Sequence, residues 1–231
     1  MTHSYDRRTA LAGLGATGLV AISPSPAMAQ GLNLGSILGR ATDSALDRLA
    51  QPGAFYNDED VRIGLPMLGN LGSGGSSGGF LGRALGAASR LGGLPGIDDI
   101  IRGINDAAGE AAGLAKPIFR DAINGLSFGD APGIIREDDG GTQYLRRSSN
   151  DRLTSEFNPL VDTALTKAGL HDRIDGLASK NSLLRDAGLN RENINASVTE
   201  QGLDGIFSYI GAEERNFRKN PLRGLGNLLR N

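Results

Sequence analysis

Apolar side chains recur at three- and four-residue spacing through most of this chain, the period of a helix with one buried face. From Leu32 to Ala50 the stripe is Leu34, Ile37, Leu38, Ala41, Ala45, Leu46 and Leu49, and Gln51-Pro52-Gly53 ends it. Phe55 to Pro66 loses the period and reads as irregular or briefly extended. Gly69 to Gly79 is almost all glycine and serine, which cannot bury a core and predicts a flexible loop. Phe80 to Leu91 resumes a helix, and Ile97, Ile100, Ile101, Ile104, Ala108, Ala111 and Ala112 mark another, entered through Pro95. Pro117 suits a first helical turn and leads Ile118, Phe119, Ala122 and Ile123, with Gly125 as the stop.

Thr142 to Ala168 carries the longest pattern, through Leu145, Ser149, Leu153, Phe157, Leu160, Val161, Ala164 and Leu165. Pro159 should kink or split it, and Gly169 should cap it. His171 to Ala187 reads as a further helix. The last one opens on Ser197-Val198-Thr199-Glu200, a capping-box pattern, and runs through Leu203, Ile206, Phe207, Ile210 and Phe217 to Asn220-Pro221. Strand signals are scarce and no fixed repeat is present. The pattern predicts a single compact all-α domain of roughly five to eight helices, with Phe119, Phe157, Ile206 and Phe207 in its core.

The first 29 residues break this pattern. Arg7 and Arg8 precede an uncharged run from Thr9 to Ile22, shorter than the ~20 apolar residues of a membrane-spanning helix. Pro24, Pro26 and the small-x-small site Ala27-Met28-Ala29 follow. This is the layout of a twin-arginine signal peptide cleaved after Ala29, which would deliver residues 30–231 to the periplasm. The alternative is an ordinary secretory signal that happens to hold two arginines. Gly13-Leu14-Gly15-Ala16-Thr17-Gly18 matches a dinucleotide fingerprint, but it lies in the discarded segment, without the strand and helix that give the motif meaning.

Composition narrows the picture. Removing Arg7, Arg8 and Asp6 from the chain's 24 basic and 26 acidic residues leaves 22 and 25, a net charge of −3. That balance offers no basic face for nucleic acid and no attraction to anionic lipid by charge alone. The absence of cysteine excludes disulfides, thiolate metal sites and a lipoprotein anchor. No apolar run beyond the signal could cross a membrane, so a soluble periplasmic protein is the simplest reading.

Several segments stand out in order: Val61-Arg62-Ile63-Gly64-Leu65-Pro66, Lys116-Pro117-Ile118-Phe119-Arg120-Asp121-Ala122-Ile123, Thr142-Gln143-Tyr144-Leu145-Arg146-Arg147-Ser148-Ser149, Leu203-Asp204-Gly205-Ile206-Phe207, Ala212-Glu213-Glu214 and Asn220-Pro221. In these the chain resembles a bacterial envelope family, the domain of unknown function numbered 4197, from about Leu34 to the C-terminus. The Thr142 to Ser149 block is the most specific. Gly64 departs from the family pattern, which has proline there, and the Gly/Ser stretch replaces a regular helical one. The resemblance implies an exported, all-helical domain and supplies no established activity.

No catalytic constellation emerges. Gly125-Leu126-Ser127-Phe128-Gly129 fits the nucleophile-elbow pattern, but a helix rather than a strand precedes it, so Ser127 reads as the cap of a short helix leading to Ile134. His171, the one histidine beyond the signal, is too isolated for a triad or a zinc site and is expected at a helix start on the surface. Asn57-Asp58-Glu59-Asp60 and Glu137-Asp138-Asp139 lack the alternating spacing of a calcium loop. No metal or cofactor is expected.

The candidate binding residues are Gln143, Tyr144, Arg146, Arg147, Ser148 and Asp151, crowded into little more than two turns, with Asp204, Glu213 and Glu214 as acidic partners for Arg146 or Arg147. Tyr144, Arg147, Ser148 and Asp151 can share a face, and Arg147 can pair with Asp151. The block is either an ion-pair network clamping two helices or the polar end of an apolar pocket, where an arginine grips a carboxylate or phosphate. The leading function is a non-enzymatic periplasmic binding or envelope-maintenance protein for an amphiphilic, lipid-like ligand or an envelope protein. The alternatives are a hydrolase using Asp151 with Glu213 or Glu214, and a scaffold docking through Leu222 to Leu229.

Overall fold

The computed structural model describes residues 26–65, 96–127, 137–180, 185 and 189–219, with side chains from Leu34 onward. The predicted loop at 69–79, the helix at 80–91, the cap at 127–134 beyond Ser127, most of 181–188 and the stretch at 222–229 lie outside them. Among the described residues the elements are all helical: α1 (Pro26–Leu49), α2 (Ala54–Asn57), α3 (Ile97–Leu114), α4 (Lys116–Asn124), α5 (Gly140–Lys167), α6 (Leu170–Lys180) and α7 (Arg191–Lys219).

The long C-terminal helix α7 is central, packed against α1 on one side and α5 on the other. Helix α3 lies on α5 and α2, α4 bridges α1 and α5, and α6 lies across α3, α5 and the start of α7. Each helix buries the stripe its period predicts: Leu38, Ala41, Ala45, Leu46 and Leu49 from α1; Ile100, Ile101, Ile104, Ala108, Ala111 and Ala112 from α3; and Leu145, Leu153, Phe157, Val161 and Leu165 from α5. Phe119, Phe157, Ile206 and Phe207 all sit in this core. Phe119 of α4 meets Phe207 of α7 edge-to-face, with ring centroids 5.9 Å apart, an arrangement aromatic quadrupoles favour. Gly205 permits a close approach. A Cβ there would stand 2.9 Å from the Phe55 ring and 3.2 Å from Val61.

Several boundaries differ from the sequence expectation. Helix α1 begins at Pro26, six residues before Leu32, because proline's missing N–H is harmless in a first turn. Pro159 does not split α5, which runs on to Lys167. Both Pro159 and Ser155, whose carbonyl loses its helical donor, are exposed, so water can satisfy that group. Gly169 ends α5 in the left-handed region at φ 66°, as expected of a cap. Helix α7 starts at Arg191, not at Ser197. Asn190 provides the cap, its side-chain oxygen accepting from Asn193 N at 2.9 Å, and Ser197 lies inside the helix, where its hydroxyl accepts from Gln201.

His171 is buried, not on the surface, at 6% exposure. Gly169 turns the chain so that Leu170 packs over Gly103 of α3, and the next residue follows it inward. Its Nε2 is 3.2 Å from Asp162, but neither ring nitrogen has an aligned hydrogen bond. Asp162 is instead held bidentately by Arg191.

The segment after α2 has no helix or sheet of its own, yet Val61, Ile63 and Leu65 are buried. Its backbone is satisfied by two carboxamides. Asn105 of α3 accepts from Ile63 N and donates to Ile63 O, both at 2.8 Å, and also donates to Ile101 O. Gln201 of α7 accepts from Gly64 N at 3.0 Å and donates to Gly64 O at 3.1 Å. Each amide thus imitates the neighbouring strand that this extended segment lacks. Gly64 supplies the N–H that this pairing needs.

Tyr209 of α7 ties the preceding turn down, donating to Asp58 at 2.6 Å. Burial, and after it the Asp58 carboxylate, push the Tyr209 hydroxyl up to about 12. Unfolded tyrosine titrates near pH ~10. The folded group holds its proton more tightly, so its stabilising contribution is complete below pH ~10 and disappears as pH rises through about 12. A spectrophotometric titration should show one tyrosine ionising late, a component absent from Tyr209→Phe; a single transition with every tyrosine half ionised near pH ~10 would contradict this.

Candidate functional site

The sequence block at the start of α5 does not face one way. Helical rotation divides it. Gln143 and Arg146 turn toward α7 and line a surface cleft with Asp139, Thr142, Asp204, Phe207, Ser208, Gly211 and Arg215. Arg147, Ser148 and Asp151 are exposed on the outer side of α5, and among the described residues no ion pair joins Arg147 to Asp151. Tyr144 departs in a third direction, donating its hydroxyl to Ser127 O at 3.0 Å.

The cleft holds about 240 Å³. Two ion pairs form its walls. Arg146 bonds Asp204 across the α5–α7 contact, and its guanidinium lies 5.3 Å from the centroid of the Phe207 ring. Arg215 bonds Asp139, just before α5, whose other oxygen accepts from Gln143 at 2.8 Å. Gly211 lies between these walls. A Cβ there would come within 3.4 Å of Arg215 and 3.6 Å of Asp139, so the missing side chain contributes to the hollow.

Beneath the cleft, Glu214 is fully buried. One oxygen accepts from Gly141 N at 3.0 Å, and the other from Thr142 N and the Thr142 hydroxyl at 2.7 Å each. Arg218, one turn on, donates to it through Nε at 3.0 Å and Nη2 at 2.6 Å. Helix α5 has no side-chain cap from its own Asp139. A carboxylate more than seventy residues away in sequence supplies it, at the end where the helix dipole favours negative charge. Gly141 must lack a side chain, since a Cβ would stand 2.8 Å from Glu214.

Of the three acids, only Asp204 meets one of the arginines that the sequence offers it; the other two find partners elsewhere. Asp204 pairs with Arg146. Glu213 pairs with Arg48 of α1 at 2.5 Å, and Glu214 with Arg218 and the start of α5. Of the groups offered for hydrolysis, Glu213 is engaged by Arg48 and Asp151 is exposed. Asp151 is nine residues along α5 from Thr142, about 13 Å at 1.5 Å per residue, beyond the ~5–10 Å that two-carboxylate glycosidases use. Both Glu214 oxygens are already occupied. No group of three acidic or histidine side chains able to hold a metal ion occurs among the described residues, and no described helix is long and apolar enough to cross a membrane. Sequence reasoning missed Asp139, Thr142, Ser208, Gly211 and Arg215. Gly211 and Arg215 lie one and two turns past Phe207 on the same helix, a spacing that could have revealed them.

The fold and the cleft together define an all-helical single-domain protein with a polar, charge-paired site between two long helices. The chain belongs to the family described as Protein of unknown function (DUF4197), whose model matches residues 25–231. No curated protein and no solved structure matches it.

Proposed function

We propose that this chain is an exported periplasmic protein that acts by binding, through the cleft between α5 and α7. The observation that carries the reading is the convergence of Arg146, Arg215, Asp139 and Asp204 on one hollow floored by Phe207. Export is supported by Arg7-Arg8, the short uncharged run after them and Ala27-Met28-Ala29. The paired charges around the cleft and its small volume, about 240 Å³, favour a compact charged molecule over the amphiphile that the sequence suggests. A lipid tail needs a longer chamber than this, since the hollow falls below the ~300–1,000 Å³ of pockets for drug-sized ligands. Structural clamping alone is a weak reason for the two ion pairs, because half-exposed pairs contribute only about 0–1 kcal/mol.

Native mass spectrometry of protein recovered from the periplasmic fraction tests this. The expected spectrum shows a small polar adduct on the wild-type chain, lost from the Arg146→Ala/Arg215→Ala variant, whose stability should change by no more than about 2 kcal/mol. A bare wild-type mass, retention of the chain in the cytoplasm, or an extractable lipid adduct would each overturn the corresponding part of the reading.

A further inference from the structure

The charges around the cleft are of both signs and balanced, and this bears on what can enter, given the reading above that it is a binding site. Arg146 and Arg215 contribute two positive charges, Asp139 and Asp204 two negative ones, all lining the same hollow. The side chains are between about one quarter and one half exposed, at 49% and 54% for Arg146 and Asp204 and 41% and 27% for Arg215 and Asp139. A simple anion drawn to either guanidinium meets the carboxylate paired with it, and a simple cation meets the converse. A molecule carrying both charges satisfies both walls. Its carboxylate can take guanidinium N–H groups left over, since each arginine has five donors and Arg146 and Arg215 reach their aspartates through one nitrogen each. Its ammonium can sit against the aspartate oxygens. The existing pairs are exposed enough that rearranging them costs little. At about 240 Å³ the hollow falls below the ~300–1,000 Å³ of pockets for drug-sized ligands, so the guest must be small.

We propose that the α5–α7 cleft binds a compact zwitterion, an amino acid or short peptide bearing a free ammonium and a free carboxylate. The ligand's carboxylate lies toward Arg146 and Arg215 and its ammonium toward Asp139 and Asp204. Thr142, Gln143 and Ser208 add neutral hydrogen-bonding groups around it.

Three probes of nearly equal size separate the possibilities: alanylalanine, its N-acetyl derivative, which is an anion, and its C-terminal amide, which is a cation. Backbone amide shifts of Thr142, Gln143, Ser208 and Gly211 are followed by NMR on the purified chain. Free alanylalanine should move them saturably, and each blocked form should need at least about tenfold more, as expected when one charge-assisted contact is lost. Asp204→Asn and Gly211→Ala should each weaken the free dipeptide by a similar factor. Gly211→Ala also controls for folding, because alanine is the better helix residue and should not lower the melting temperature.

Equal response to a blocked form overturns the zwitterion and leaves the cleft as a binding site. Undiminished binding to both variants places the dipeptide elsewhere and overturns it too. Silence from all three probes also overturns it, and the native mass spectrum then decides whether the cleft reading falls with it.

Discussion

Replacing Asn105 with alanine is expected to destabilise the protein by about 3–5 kcal/mol, which for a chain of this size lowers the melting temperature by roughly 6–20 °C. Asn105 is 1% exposed and makes three hydrogen bonds, two of them to the N–H and carbonyl of Ile63. Truncation removes those bonds and leaves two buried backbone groups without partners, each costing about 1–3 kcal/mol. Leucine should do no better, since its similar volume fills the space without restoring donor or acceptor. Gln201→Ala is the comparison. It faces the adjacent residue Gly64 in a half-buried setting that water can reach, and about 1–2 kcal/mol is expected. Chemical denaturation measures both. A loss below about 1 kcal/mol for Asn105→Ala would show that the 61–65 segment does not depend on its carboxamide.

Glu214→Ala is the second large effect, at about 3–5 kcal/mol, the range for removing one member of a buried ion pair. Two separate costs contribute. Arg218, whose side chain is only 18% exposed, loses its ion pair with Glu214, and Gly141 N, Thr142 N and the Thr142 hydroxyl lose their acceptor. Glu214→Gln tests which matters more. An amide retains one acceptor oxygen but points an NH2 at donors, so it should recover only part of the loss. Amide exchange localises the damage. Protection at the first turn of α5 should fall well before the rest of the core, because that turn's amides depend on this carboxylate. Uniform loss of protection would contradict a local capping role.

The two residues with the largest expected effects were not equally visible in the sequence. Glu214 stands in a family block and draws attention as an acid near an arginine-rich helix, but its partners, Arg218 and the first turn of α5, are not legible there. Sequence spacing shows which residues share a helical face, not which other helix covers that face. Asn105 gave no such signal. It interrupts the apolar stripe of α3 by one position, as a surface residue at the edge of a buried face would. Its importance depends on a segment forty residues earlier that has no helix or strand to satisfy its backbone. The same limit divided the Thr142–Ser149 block. Its polarity marked the start of α5 as unusual, but only the position of α7 determines that Gln143 and Arg146 enter the cleft while Arg147, Ser148 and Asp151 face out.

What the sequence determined by itself is the all-helical class, the buried stripes of α1, α3 and α5, the four core residues Phe119, Phe157, Ile206 and Phe207, and the break at Gly169. These follow from local periodicity and backbone preference, which adjacent residues encode. The tertiary structure decided the inward turn of His171, the true start of α7, the carboxamide support of residues 61–65, the distant cap on α5 and the membership of the cleft. Each depends on burial or on a hydrogen-bond partner far along the chain, and those quantities exist only once helices have packed against one another.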